Sequence, residues 1–287
     1  MKRLLIALLF CSSAFAEPIN IIMPVLAGGN VDVFARALSK VLTESDIDNI
    51  TMYHPGANGD IAYSQVANKF DTSILIAPMH VFVLSHVSQN RDNFHTKNMK
   101  IIGPMVETPF VFVTSANGFN SFSEMIKYAK TNELLCGTSG AASIELLRIN
   151  KEYNTKFQPV PYKGTAQLKT DLLGGHIKCG YDGAGAYAQE HDAKSLKYLA
   201  SNMSVIKGVP HIDTVLPQYK FQMWFGIAIM NDSKLLKNEK LMNAITKINL
   251  NKDYIEKLSQ HNLYAANISN KINDKVEKLT EHYRSVQ

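Results

Sequence analysis

Pro24-Val25-Leu26-Ala27-Gly28-Gly29-Asn30-Val31-Asp32-Val33-Phe34-Ala35-Arg36 is the stretch whose reading decides how this chain folds. The apolar run Ile19 to Met23 before it predicts a strand. After it, Phe34, Ala37, Leu38, Val41 and Leu42 recur at the three-and-four spacing of one buried helix face, which predicts a helix over 31–44. A small-residue turn between the two lets backbone approach a ligand and aims free helix N–H groups at it. Strand, double-glycine turn and helix start together make the parts of an anion pocket.

Working outward, the chain keeps alternating. Asn49–Tyr53 and Ser73–Ala77 read as strands, and 59–69 and 79–88 as helices, a pattern that implies parallel strands with helices on both faces. A second block follows Val111-Phe112-Val113. Ser121 with Glu124 forms a capping box for a helix through Lys130. Strands at 134–137, 157–161 and 177–181 alternate with helices at 141–153 and 165–173, and the chain returns through an apolar strand, Ile227 to Met230. The fold class is α/β, with two lobes that are each a mainly parallel sheet flanked by helices. The boundaries fall at 17–112 plus 226–287 for the first lobe and 113–225 for the second.

The start of the chain reads as an export signal. Lys2 and Arg3 are the basic start, Leu4 to Phe10 the apolar run, and Ala14-Phe15-Ala16 the cleavage pattern. The run is too short to span a bilayer, and Phe10 before Cys11 argues against a lipoprotein. Removing 1–16 takes the formal net charge from +5 to +3, too mild to argue for nucleic acid. Cys136 and Cys179 remain in an exported chain; a bridge and two buried thiols in neighbouring strands both stay open.

Other candidate elements sit where strands give way to helices. His54-Pro55-Gly56-Ala57-Asn58-Gly59-Asp60 is a second glycine-bearing turn, able to supply half of an anion cradle or to serve as a tight connection. Cys136-Gly137-Thr138-Ser139-Gly140-Ala141-Ala142-Ser143 gathers hydroxyls at a helix start. Asp182 after strand 177–181 can accept from a ligand's ammonium or hydroxyl, or cap a helix. Tyr162-Lys163-Gly164 follows strand 157–161, and His80 follows strand 73–77. The sequence carries no His-x-x-x-His or Cys-x-x-Cys pair, no phosphate loop and no three-glycine dinucleotide spacing, so no metal or cofactor is expected.

Taken together these residues resemble the substrate receptors of tripartite tricarboxylate transporters, the Bug family. Pro24 through Arg36 is similar to its proline, double-glycine, Asp-x-x-Ala-Arg signature. Pro55-Gly56-Ala57-Asn58-Gly59-Asp60-Ile61 resembles its second turn. Val160-Pro161-Tyr162-Lys163-Gly164 with Asp171-Leu172-Leu173-Gly174-Gly175 resembles its second-lobe pattern. Val209-Pro210, Thr214-Val215 and Trp224-Phe225-Gly226 resemble its return to the first lobe.

The resemblance implies a type II-like, two-lobed periplasmic binding protein, monomeric, that closes on a small organic carboxylate or acidic amino acid and delivers it to membrane permease subunits. It implies ligand contacts at Leu26, Ala27, Gly28, Gly29, Asp32, Ala57, Asn58 and Gly59. In the second lobe it implies Thr138, Ser139, Ala142 and Asp182; His80 joins them from its own position. Asp32, inside the first helical turn, suits orienting the loop. The sequence departs from the family at Asn58 for glycine, at His54 for arginine, and at Phe70-Asp71-Thr72-Ser73 for Pro-Asp-Gly-Tyr-Thr. Two rival readings are a receptor that presents its ligand to a membrane sensor, and a hydrolase using Ser139 with a histidine.

Overall fold

Every residue of β1 (Ile19–Met23) is buried, because helices cover both faces of the sheet it belongs to. Ile21 and Met23 pack with Phe34 and Leu38 of α1 (Asn30–Glu44) on one face. Ile22 packs with Ala62 and Val66 of α2 (Asp60–Asn68) on the other. Each such side chain removed from water contributes about 1.5–3 kcal/mol. The computed structural model describes residues 17–87, 97–139, 142–162, 165–269 and 271–286. The expected export segment 1–16, the pairs Gly140-Ala141 and Lys163-Gly164, and the side chain of Asn58 lie outside the described residues.

The first alternation runs as the periodicity predicts: β2 (Asn49–Tyr53), β3 (Ser73–Pro78) and α3 (Met79–Val87) follow, with β1 parallel to both β2 and β3. The sheet then gains three strands: β4 (Met99–Thr108), β10 (Met223–Met230) and β11 (Tyr264–Ala265), in the order β11-β4-β10-β3-β1-β2. β10 is antiparallel to both β3 and β4, so β3 and β4 point the same way. The expectation had no strand at 99–108, since Gly103-Pro104 punctuates it. The glycine is there because Gly226 bulges opposite, its Cα 3.4 Å from where a Gly103 Cβ would sit.

The second sheet has the order β7-β6-β8-β5-β9, from β5 (Phe110–Ser115), β6 (Leu134–Ser139), β7 (Phe157–Tyr162), β8 (Cys179–Gly183) and β9 (Leu196–Ser201). β6 is parallel to β7 and β8, while β5 runs antiparallel to β8 and β9. The connecting helices are α4 (Phe122–Thr131), α5 (Ala142–Tyr153), α6 (Thr165–Leu173) and α7 (Ala188–Asp192). Ser121 caps α4 by accepting from Glu124 N, and Glu124 reaches back to Asn120 N. β9 and α7 have no counterpart in the expectation, and two expected strands have other bounds. β8 runs on to Gly183, so Asp182 lies within the strand, and β10 begins at Met223, taking Trp224 and Phe225 into the first sheet.

Cys136 and Cys179 sit directly opposite one another in the parallel β6–β8 pair, and their sulfurs are joined. The chain finishes in α8 (Glu239–Thr246), α9 (Lys252–Ser259) and α10 (Ile272–Val286), with α10 packed on α3 and reaching α5 of the second sheet. No helix among the described residues is long and apolar enough to cross a membrane. Strand directions bring the carboxyl ends of β1, β3 and β4 to one edge of the first sheet, and those of β6, β7 and β8 to one edge of the second. Pro109 alone separates β4 from β5, so the two edges meet there. Ligands of open α/β sheets bind at such carboxyl ends.

Candidate functional site

A cavity of about 780 Å³ lies between these edges. From the first sheet it is lined by Gly28 to Val31, by His80 just beyond β3, and by Thr108 at the end of β4. From the second it is lined by Ser139 ending β6, Thr165 starting α6, and Asp182 and Gly183 ending β8. Phe110, Met223 and Phe225 give it an apolar floor. The walls approach closely: a Cβ on Gly183 would lie 3.9 Å from Asn30 Nδ2, and one on Gly185 would meet the His261 carbonyl at 3.0 Å.

The first-sheet wall is held by Asp32. Its buried carboxylate accepts from Gly28 N at 2.8 Å, Arg36 Nε at 2.9 Å and the Tyr53 hydroxyl at 2.7 Å. Burial pushes this carboxyl up, but Tyr53, the Gly28 amide and Arg36 together hold it below its usual value. The Gly28 N–H is thereby spent on Asp32, which fixes the turn ahead of α1. Gly28 needs its φ of +94°, but Gly29 is a different case. Its φ of −92° suits any residue, and a Cβ there would meet nothing within 4 Å. Neither strain nor crowding asks for glycine at 29; its bareness leaves the first turn of α1 open to the cavity.

The second-sheet wall is organised by Asp182, which is 5% exposed. Oδ1 accepts from Ser139 Oγ at 2.7 Å and Gly183 N at 2.8 Å, and Oδ2 from Thr165 Oγ1 at 3.1 Å and the Tyr187 hydroxyl at 3.2 Å. Burial pushes this carboxyl up, against the pull of those four donors. On the first-sheet side, His80 Nδ1 and Thr108 Oγ1 are out of contact with solvent and have no hydrogen-bond partner among the described residues. Desolvation lowers the His80 imidazole to about 4, so it is neutral at physiological pH.

Of the residues expected at the site, the structure brings Gly28, Gly29, His80, Ser139 and Asp182 to the cavity wall. Leu26 and Ala27 are exposed on the approach to α1, and Asp32 stands behind the wall. Ala57 and Gly59 form a short turn packed on α3, where a Gly59 Cβ would meet Val81 Cγ1 at 2.7 Å; neither lines the cavity. Thr138 is fully buried, its hydroxyl 2.6 Å from that of Ser143, and Ala142 is buried at the start of α5. Tyr162 donates to Asp171 at 2.6 Å. The sequence reading missed Thr108, Phe110 and Thr165. The first two flank a strand break that Gly103-Pro104 concealed, and Thr165 carries no signal beyond its place after a glycine.

The family described as Tripartite tricarboxylate transporter family receptor matches residues 33–282. The chain belongs to that family. A UPF0065 protein of Bordetella bronchiseptica is 27% identical over 216 residues, covering 70% of this chain and 62% of the relative's length. A TctC solute-binding protein from Polaromonas has a TM-score of 0.75 at 21% identity, covering 96% of this chain and 99% of that one. An R. palustris protein solved with adipate has a TM-score of 0.78 at 19% identity, covering 94% and 95%. These likenesses show the two-lobed receptor fold.

Proposed function

We propose that this member of the tripartite tricarboxylate transporter receptor family captures a small organic carboxylate in the periplasm and hands it to a membrane permease. The observation that carries the reading is the open first turn of α1 at Gly29, facing the cavity between the two sheet edges. A 15-residue helix presents unsatisfied N–H groups and a partial positive charge there, which substitute for water around a carboxylate. The adipate held by the R. palustris neighbour supports this ligand class.

Capture proceeds by hinge closure. The chain changes sheet at 108–110 and again between 201 and 223, so a rotation about these crossings opens the cleft. The expected lobes, 17–112 with 226–287 and 113–225, then exchange at these crossings, with 110–112 moving with the second sheet and 223–225 with the first. Closure brings Asn30 to Gly183 and His261 to Gly185, removing water from the bound ligand and strengthening its hydrogen bonds. No bond is broken. The Ser139 hydroxyl donates its hydrogen bond to the Asp182 carboxylate, not to a histidine, which supports binding over nucleophilic attack. The basic and apolar start of the chain supports export, with cleavage after Ala16.

The test is a thermal-shift screen of mono-, di- and tricarboxylates and acidic amino acids. A true ligand at a hundred times its Kd adds about 2.7 kcal/mol of stability. If no carboxylate raises the transition, the reading fails.

A further inference from the structure

The turn that follows α9 brings three polar side chains, Gln260, His261 and Asn262, to the cavity wall. Its backbone is fixed by the first lobe. Asn262 N donates to Ser259 O at 3.0 Å and Leu263 N to Leu258 O at 3.0 Å, the paired bonds that close a helix on a left-handed residue. Leu258 and Leu263 are buried in one cluster with Leu38 and Val41 of α1, so the turn is anchored in the core beneath it. Asn262 is the left-handed residue, with a φ of +54°.

Helices that end this way favour glycine at that position, because a Cβ is strained there. This chain keeps an asparagine. Across the cleft the reverse holds. Gly185 lies in the short helical turn Ala184–Tyr187 that follows β8, and its φ is not positive, so the backbone makes no demand for glycine. A Cβ there would lie 3.0 Å from the His261 carbonyl and 3.8 Å from the Asn262 Cβ. Glycine stands where the backbone does not ask for it and is missing where the backbone does.

Both reversals fall on one contact between the lobes, at the wall of one cavity. The contact accounts for Gly185: without a side chain there, the His261 carbonyl seats directly against the second lobe. The cavity accounts for Asn262. Its side chain is half-buried rather than enclosed, and it lines the space a ligand would fill. A carboxamide there offers two N–H donors to a ligand oxygen, which a glycine could not.

We infer that Asn262 is a ligand-contacting residue whose amide donates to an oxygen of the bound carboxylate, and that Gly185 is the positioning residue that admits its turn when the lobes close. This rests on the carboxylate reading above and deepens it. The ligand is held from a segment near the end of the chain as well as from the start of α1 and the second lobe.

The experiment has two arms, both on the mature protein. In the first, Gly185→Cys and Asn262→Cys are combined without ligand. Their Cβ separation of 3.8 Å is that of an ordinary disulfide, so air oxidation should bridge them, read as a loss of free thiols and a shift on a non-reducing gel. No bridge means that the turn does not meet Gly185 in solution, and overturns the inference. In the second, wild type, Asn262→Gly, Asn262→Asp and Gly185→Val are titrated calorimetrically with acetate, malate, adipate, citrate and glutamate. The acid that wild type binds best should bind at least tenfold more weakly to each variant. Asn262→Gly relieves a left-handed Cβ, so the melting temperature of the empty protein should be unchanged or higher. Asn262→Asp keeps the shape and sets a negative charge against the carboxylate. Unchanged affinity in Asn262→Gly or Gly185→Val, or a melting temperature of Asn262→Gly that falls along with its affinity, overturns the inference and leaves the carboxylate reading standing. If wild type binds none of the five acids, the two fall together.

Discussion

Asp32 acts on the cleft without lining it. Its carboxylate ties the Gly28 amide, Arg36 and Tyr53 into one cluster, so the turn before α1 is held in the conformation that leaves Gly29 bare. Hydrogen bonds to a charged group contribute about 1.5–3 kcal/mol. Asp32→Asn should lower unfolding stability by about that amount at pH 7, measured by urea denaturation. Because the folded carboxyl is held below its ordinary value, its contribution is present above about pH 4 and lost as pH falls through the folded value. The difference between wild type and variant should therefore shrink on acidification, and a constant difference down to pH 2 would remove Asp32 from this role. At this scale the sequence was informative where a residue ends a strand: Gly28, Gly29, His80, Ser139 and Asp182 all line the cavity. Thr108 was invisible because its partner across the sheet, Met223, is remote in the chain.

Periodicity identifies elements when each is covered by its neighbours in sequence. β1 to α3 alternate strand and helix, and β1 and β3 are buried among the helices that follow them, so the apolar spacing there reports the structure directly. β4 and β9 are paired by strands far along the chain, and β4 is also broken by Gly103-Pro104; local pattern does not reveal such strands. The cysteine pair is a related case. The residues left a bridge and two free thiols open, and the direct β6–β8 register at Cys136 and Cys179 is what joins them. Cys136→Ala with Cys179→Ala should cost about 2–4 kcal/mol, read from denaturant midpoints under oxidising conditions. An unchanged midpoint would mean that the bridge does not form in solution.

Across the whole molecule, a buried polar cluster ties α10 to the second sheet and its helices. Tyr283 of α10 donates to Glu145 of α5 at 3.0 Å, and Glu145 is paired with Arg148. The Arg148 guanidinium lies 5.2 Å above the ring of Tyr219, in the crossing between β9 and β10, and the Tyr219 hydroxyl is 2.6 Å from that of Tyr181 in β8. Burial pushes the Glu145 carboxyl up, against the hydrogen bonds from Arg148 and the tyrosines. Removing one partner of such a pair leaves the other charge buried and unmatched, at a cost of about 3–5 kcal/mol. Glu145→Ala should show that loss in a thermal or urea melt; a loss under 1 kcal/mol would show that the cluster is hydrated.

The central claim is that a carboxylate sits against the start of α1, beside Gly29. Gly29→Val places a branched side chain where the empty protein has room and an ordinary φ, so folding should be untouched. The deciding measurement is calorimetric titration of wild type and Gly29→Val with the best carboxylate from the screen. The expected result is equal melting temperatures for the empty proteins and at least a tenfold loss of affinity, about 1.4 kcal/mol, in the variant. Equal affinity in the two proteins would contradict it.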